Sequence, residues 1–153
     1  MKNLIIALLL LCVNLNSDEI KMPKTTNLTF QKECKSCHMA FQPTLLNSNS
    51  WIKVMDNLKE HFGTDASLDQ QETKIIKDYL VNNSKNNIKN VTNEIYITKL
   101  PWFTRQHRRI SEKTIAHPSI KTLSNCVACH KNAEKGNYDE DEIKIPGKSW
   151  SNR

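Results

Sequence analysis

The sequence predicts a mainly α protein of two small domains, 18–84 and 85–153, behind a leader at 1–17. Three observations predict it. Apolar residues recur at helical spacing through the first half, a polar stretch without periodicity runs from Asn82 to Asn87, and each half carries one copy of the same pentapeptide. The second domain is expected to have little regular structure.

The leader comes first. Lys2 precedes a nearly unbroken apolar run from Leu4 to Leu15, and polar residues follow from Asn16. This is the pattern of a secretory signal peptide, too short to span a membrane as a helix. Cleavage is expected near Ser17. Cys12 would suit lipidation only if a small residue preceded it, and Leu11 is large, so it is expected to leave with the signal. No other run reaches membrane length, and the mature chain is expected to be periplasmic and soluble.

In the first domain a short segment with Leu28 and Phe30 leads into the first pentapeptide, and Pro43 breaks the chain soon after. A helix is expected from Trp51 to Phe62 with Ser50 as N-cap and Gly63 as terminator, its apolar face made of Trp51, Val54, Met55, Leu58 and Phe62. A second helix is expected from Leu68 to Val81, capped by Ser67, with Ile75, Ile76, Tyr79 and Leu80 on its apolar face. In the second domain Val91 to Ile97 alternates as a short strand would. Pro101 is placed to open a helix over Trp102 to Ile110, Pro118 marks a turn, and a further helix is expected over Cys126 to Ala133. The acidic run Asp139-Glu140-Asp141-Glu142 reads as solvated surface, with a docking patch as the sharper reading.

The pentapeptides are Cys34-Lys35-Ser36-Cys37-His38 and Cys126-Val127-Ala128-Cys129-His130. Cys-x-x-Cys-His is the attachment sequence of c-type haem. The two thiols bond to the haem vinyl groups, and the adjacent His is then forced beneath the ring, where its imidazole can ligate iron. Two copies in a chain with only five Cys and five His make a strong signal. Two disulfides, or one zinc held by two Cys pairs, are the competing readings, and neither explains a His directly after each pair. Each domain therefore reads as a haem-binding domain of roughly 60–70 residues, too small to bury much apolar surface unaided. With only three Gly and few aromatics in the chain, the macrocycle supplies the missing core, and the haem-free chain is expected to be unfolded or molten.

Function turns on the sixth ligand of each iron. Three His remain: His61, His107 and His117. At helical spacing His61 shares the face of Val54 and Leu58, and His107 that of Phe103 and Ile110. A His on such a face is usually a satisfied core residue, but two irons here need partners. We assign His61 and His107 as distal ligands beside the proximal His38 and His130. His117, extended by Pro118, is kept in reserve for the second haem. Met39, directly after the proximal His, is wrongly placed to ligate, and Met55 reads as core rather than as a ligand. Arg105, Arg108 and Arg109 read either as a solvated face or as partners of haem propionates. The formal charge of +6 falls to +5 without Lys2, and each oxidised haem adds about −1, so the basicity is overstated and nucleic-acid binding finds no support. With both irons closed the protein is an electron carrier. With one open it would be a haem enzyme or gas sensor, the alternative reading.

The chain also resembles the small periplasmic dihaem cytochromes c, the DHC family. The likeness rests on Cys34 to Pro43, on His61-Phe62-Gly63 within Leu58 to Gly63, and on Ala66-Ser67-Leu68-Asp69. It continues through Gln106-His107-Arg108 with Ile110, Leu123 to His130, Asp139-Glu140-Asp141 and Ile145-Pro146. The resemblance implies two covalently bound, bis-histidine haems and an N-terminal domain similar to class I cytochromes c. It further implies a role as electron donor or relay. A high-spin, oxygen-binding c-type cytochrome or a membrane cytochrome b would be the redox partner, the latter with peripheral membrane contact.

Overall fold

Asn27 opens the first helix. Its side chain accepts from the Phe30 amide at 2.9 Å and so satisfies one of the free N–H groups of α1 (Leu28–Cys34). In the computed structural model, residues 27–84 and 93–148 are described. The expected leader at 1–17, residues 85–87 of the expected polar linker and residues 91–92 of the expected short strand lie outside them. α2 spans Ser48–Asp56, α3 Gln70–Asn83, α4 Pro101–His107 and α5 Glu112–Ile115. Short 3-10 turns at Pro43–Leu45, Leu58–Glu60, Ile97–Lys99, Cys126–Ala128, Ala133–Lys135 and Glu140–Glu142 connect and follow them. Among the described residues there is no strand, and no helix is long and apolar enough to cross a membrane. The architecture is mainly α, as the periodicity predicts.

Several boundaries differ from those read off the sequence. α2 starts ahead of Trp51 because Asn47, not Ser50, is its cap and accepts from the Ser50 amide at 2.8 Å. Ser50 is instead buried, and its hydroxyl donates to the Glu94 carbonyl at 2.7 Å. The helix ends at Asp56 because Asn57 leaves helical geometry (φ −127°, ψ 36°), as expected of a residue whose side chain competes for backbone hydrogen bonds. Leu58 and Phe62 therefore do not continue its face. Phe62 is left-handed (φ 52°) and 48% exposed. α3 begins after Asp69, whose carboxylate accepts from the Glu72 amide at 2.8 Å, while the amide of the expected cap, Ser67, is held by Asp65 at 2.9 Å. α3 runs on to Asn83, into the first residues of the expected linker. No strand forms over 93–97: Ile95 and Ile97 lie against the core without a neighbouring strand to pair with. The expected helix over Cys126 to Ala133 is replaced by two 3-10 turns, the second ended by Gly136 in the left-handed conformation (φ 77°). α4 opens on Pro101 as expected and stops at His107, short of Ile110.

α1 and α2 pack on α3, and the core sits between them. Phe30, Leu46, Trp51, Val54, Met55, Ile76 and Leu80 form its centre, joined by Leu100 and Phe103 from beyond the linker. Full burial of each such side chain stabilises by about 1.5–3 kcal/mol. The indole N–H of Trp51 donates to the Pro43 carbonyl at 2.7 Å, which ties α2 to the turn after the first pentapeptide. Of the expected α3 face, Ile76 and Leu80 are buried, Tyr79 is half-buried against Phe30, and Ile75 is exposed. A smaller cluster of Ile120, Ala128 and Ile145 supports the second pentapeptide. Met39 and Met55 are buried in the apolar interior.

Candidate haem centres

The first pentapeptide begins on the last residue of α1, and its other four residues follow in the turn beyond. Cys34 is partly buried and Cys37 exposed. Burial pushes the Cys34 thiol up to about 11, Glu33 adding to the effect, so the group is kept as S–H. The His38 Nδ1–H donates to the Met39 carbonyl at 2.7 Å. That bond fixes the tautomer and leaves Nε2 as the free donor of an electron pair. Phe41 lies against the ring at 5.1 Å between centroids.

His61 reaches the same place from a different element. Its amide donates to Leu58 C=O at 3.3 Å, its carbonyl accepts from Thr64 at 3.1 Å, and Ala66 N–H returns to Leu58 C=O at 2.9 Å. A tight turn, not a helical face, therefore holds it. The left-handed Phe62 is the cost, roughly 1–2 kcal/mol for a residue with a Cβ. His38 and His61 stand 6.1 Å apart between ring centres, with 17° between their planes. Burial, then the proximity of His38, push the His61 imidazole below its ordinary value, which favours the neutral, ligating form.

The second pentapeptide lies on the turn Cys126–Ala128. Its backbone is closed by His130 N–H to Cys126 C=O at 2.8 Å and by Lys144 N–H to Cys129 C=O at 3.0 Å. Burial raises the Cys126 thiol to about 11 and raises Cys129 as well. His107, the last residue of α4, donates from Nδ1 to Phe103 C=O at 2.9 Å and stacks on the Phe103 ring at 3.9 Å. Its partner is His130, at 6.3 Å between ring centres and 68° between planes. Burial, then His107, lower the His130 imidazole. Tyr138 lies edge-on to His130 at 5.3 Å.

The separations fit the group that the pentapeptides imply. Two metal–imidazole bonds of about 2.0 Å, plus about 1.1 Å from each nitrogen to its ring centre, place coaxial rings about 6.2 Å apart. Both pairs match this within a tenth of an ångström or so. All four thiols are free, and among the described residues no three His, Cys, Asp or Glu side chains gather as a zinc site would need. His117 stands elsewhere: its Nδ1 accepts from the Ser119 amide at 3.2 Å, and Gly147 abuts its ring so closely that a Cβ would lie 3.1 Å from Cδ2. Arg105, Arg108 and Arg109 are exposed, Arg108 turning back onto the Arg105 carbonyl at 2.7 Å. In the acidic run Glu142 accepts from Asn132 at 2.9 Å and Asn137 at 3.2 Å, bracing the loop after His130.

Sequence reasoning missed a connection between the two pentapeptides. Gln42, only 1% exposed, donates to Ala133 C=O at 2.6 Å and accepts from the Tyr138 hydroxyl at 2.5 Å. Burial holds the Tyr138 phenol well above its ordinary range. Gln42 follows His38 by four residues and Tyr138 follows His130 by eight, but no local pattern pairs residues 96 apart.

Comparison with known proteins accords with this geometry. The family model for dihaem cytochrome c (DHC) matches residues 30–138. The crystal structure of a dihaem cytochrome type c from Shewanella baltica OS155 is similar, at 38% identity and a TM-score of 0.71, over 79% of this chain and 94% of that one. The crystal structure of DHC from Rhodobacter sphaeroides is similar at 37% identity and a TM-score of 0.67, over 74% of this chain and 98% of that one. No curated protein matches. Two attachment pentapeptides, a family match over most of the chain and likeness along nearly the whole of two solved dihaem proteins lead to one conclusion: the chain belongs to the dihaem cytochrome c family and carries two haem c groups.

Proposed function

We propose that the protein is a periplasmic electron carrier in which four histidines close both irons. Cys34 and Cys37 hold one haem between His38 and His61, and Cys126 and Cys129 hold the other between His130 and His107. The observation that carries the reading is the pair of ring separations, 6.1 and 6.3 Å, each suited to one six-coordinate iron. The bound haem iron supplies one-electron exchange between ferric and ferrous states. The chain's own residues do the rest. The Nδ1 bonds of His38 and His107 hold those imidazoles oriented, with Nε2 left to face a ligand. With His38, His61, His107 and His130 as ligands, both haems would exchange electrons without binding gas, peroxide or substrate.

Export rests on the pattern of residues 1–17, and N-terminal sequencing of protein from the periplasmic fraction tests it. The partner is another redox protein, either a high-spin, oxygen-binding c-type cytochrome or a membrane cytochrome b met at the membrane surface. Such encounters are weak and salt-dependent. His61→Ala and His107→Ala test the ligand assignment: each should convert one haem, and only one, from low to high spin. A variant that keeps two low-spin haems removes its residue from the ligand set.

A further inference from the structure

The two histidine pairs differ in one respect that their spacing hides. His38 and His61 are within 17° of parallel, whereas His107 and His130 are crossed at 68°. The crossing is built in. His107 is tied through Nδ1 to Phe103 C=O at 2.9 Å, and its ring lies flat on the Phe103 ring, 11° between planes. Phe103 is itself anchored in the main core, 4% exposed. His130 is set independently by the Cys126–Ala128 turn and by the edge of Tyr138. In hydrogen bonding the pairs are alike: each holds one imidazole whose Nδ1–H donates to a backbone carbonyl, His38 to Met39 and His107 to Phe103.

We infer that Phe103 is a positioning residue that crosses the second pair of imidazoles, and that the second haem is consequently the first to accept an electron. The inference rests on the bis-histidine reading above. An imidazole donates from the π orbital perpendicular to its ring. Parallel rings raise the same iron d orbital and separate it from its partner, which stabilises the ferric ion with its single hole in that set. Crossed rings raise one orbital each and leave the two nearly equal, so that stabilisation is lost. Ligand orientation therefore acts toward a higher potential at the second haem, while the one Nδ1–carbonyl bond in each pair favours neither. Reduction adds one electron to each ferric iron, with no bond made or broken and no proton moved.

The test is electron paramagnetic resonance of the haem-loaded protein, frozen at successive potentials during a dithionite titration. The oxidised protein should give two low-spin signals of equal weight. One is a three-line rhombic signal, and the other a single low-field peak of high anisotropy. The low-field peak should be lost first as the potential falls. Phe103→Leu removes the ring that lies flat on His107 while keeping the backbone carbonyl at 103, and should move the low-field peak toward a rhombic signal while the other signal stays. Two rhombic signals, or loss of the rhombic signal first, would overturn the inference while leaving the four ligands in place. A Phe103→Leu variant that folds with its low-field peak unmoved would remove the role given to Phe103. A high-spin signal in the unmodified oxidised protein would overturn the bis-histidine reading itself.

Discussion

Gln42→Ala should be among the most damaging single changes outside the histidines. The side chain is 1% exposed and makes two short hydrogen bonds, to Ala133 C=O at 2.6 Å and from Tyr138 at 2.5 Å. Truncation strands a buried carbonyl and a buried hydroxyl at about 1–3 kcal/mol each. A lost buried methylene adds about 0.8 kcal/mol. The total, about 3–7 kcal/mol, is a large share of the roughly 5–15 kcal/mol that holds a typical domain. Tyr138→Phe strands only the Gln42 oxygen and should cost about 1–3 kcal/mol. The double variant should be less destabilised than the sum of the two by about 1 kcal/mol or more, because the second change removes a partner already lost. The assay is guanidinium unfolding of the haem-loaded proteins, followed both by far-ultraviolet circular dichroism and by the Soret band. A Gln42→Ala protein within about 0.5 kcal/mol of the parent, or strictly additive variants, would refute the view that this bridge joins the two haem segments.

Ile76→Ala should cost about 2–5 kcal/mol by the same measurement, since Ile76 is completely buried where α3 meets the core. Asn47→Ala removes the cap of α2 and should cost about 1 kcal/mol. Lys35→Ala, by contrast, breaks the 3.1 Å pair with Glu134 and should change stability by less than about 1 kcal/mol, because both side chains are exposed to screening solvent. Replacing Cys34, Cys37, Cys126 and Cys129 together by Ser yields a haem-free chain, expected to lose cooperative unfolding and fixed tertiary structure while keeping at most a collapsed, fluctuating form. A sharp unfolding transition in that chain would contradict the role of haem as core.

The chemistry was more legible in the sequence than the backbone was. Cys-x-x-Cys-His reads directly because attachment and ligation act on neighbours in sequence. The apolar faces of α2 and α3 also read correctly in outline, since Trp51, Val54, Met55, Ile76 and Leu80 recur at helical spacing and all are buried. Helix ends were less legible. Asn47 and Ser50, like Ser67 and Asp69, are all competent caps, and which one acts depends on what else claims the residue: the distant Glu94 carbonyl takes the Ser50 hydroxyl, and the nearby Asp65 side chain takes the Ser67 amide. His61 was singled out for a face it does not occupy: the chain leaves the helix at Asn57, and a turn brings the ring beside His38. In the second half short 3-10 turns dominate, and periodicity has nothing to act on there. The Gln42–Tyr138 bridge and the crossing of His107 over His130 depend on contacts between distant segments, which no local pattern encodes.

The absorption spectrum of the reduced, haem-loaded protein before and after addition of carbon monoxide tests the closed-iron account most directly. If His38, His61, His107 and His130 take all four axial positions, as proposed, the spectrum should not change. A shift in about half of the haem would show one open iron and contradict the electron-carrier reading in favour of a haem enzyme or gas sensor.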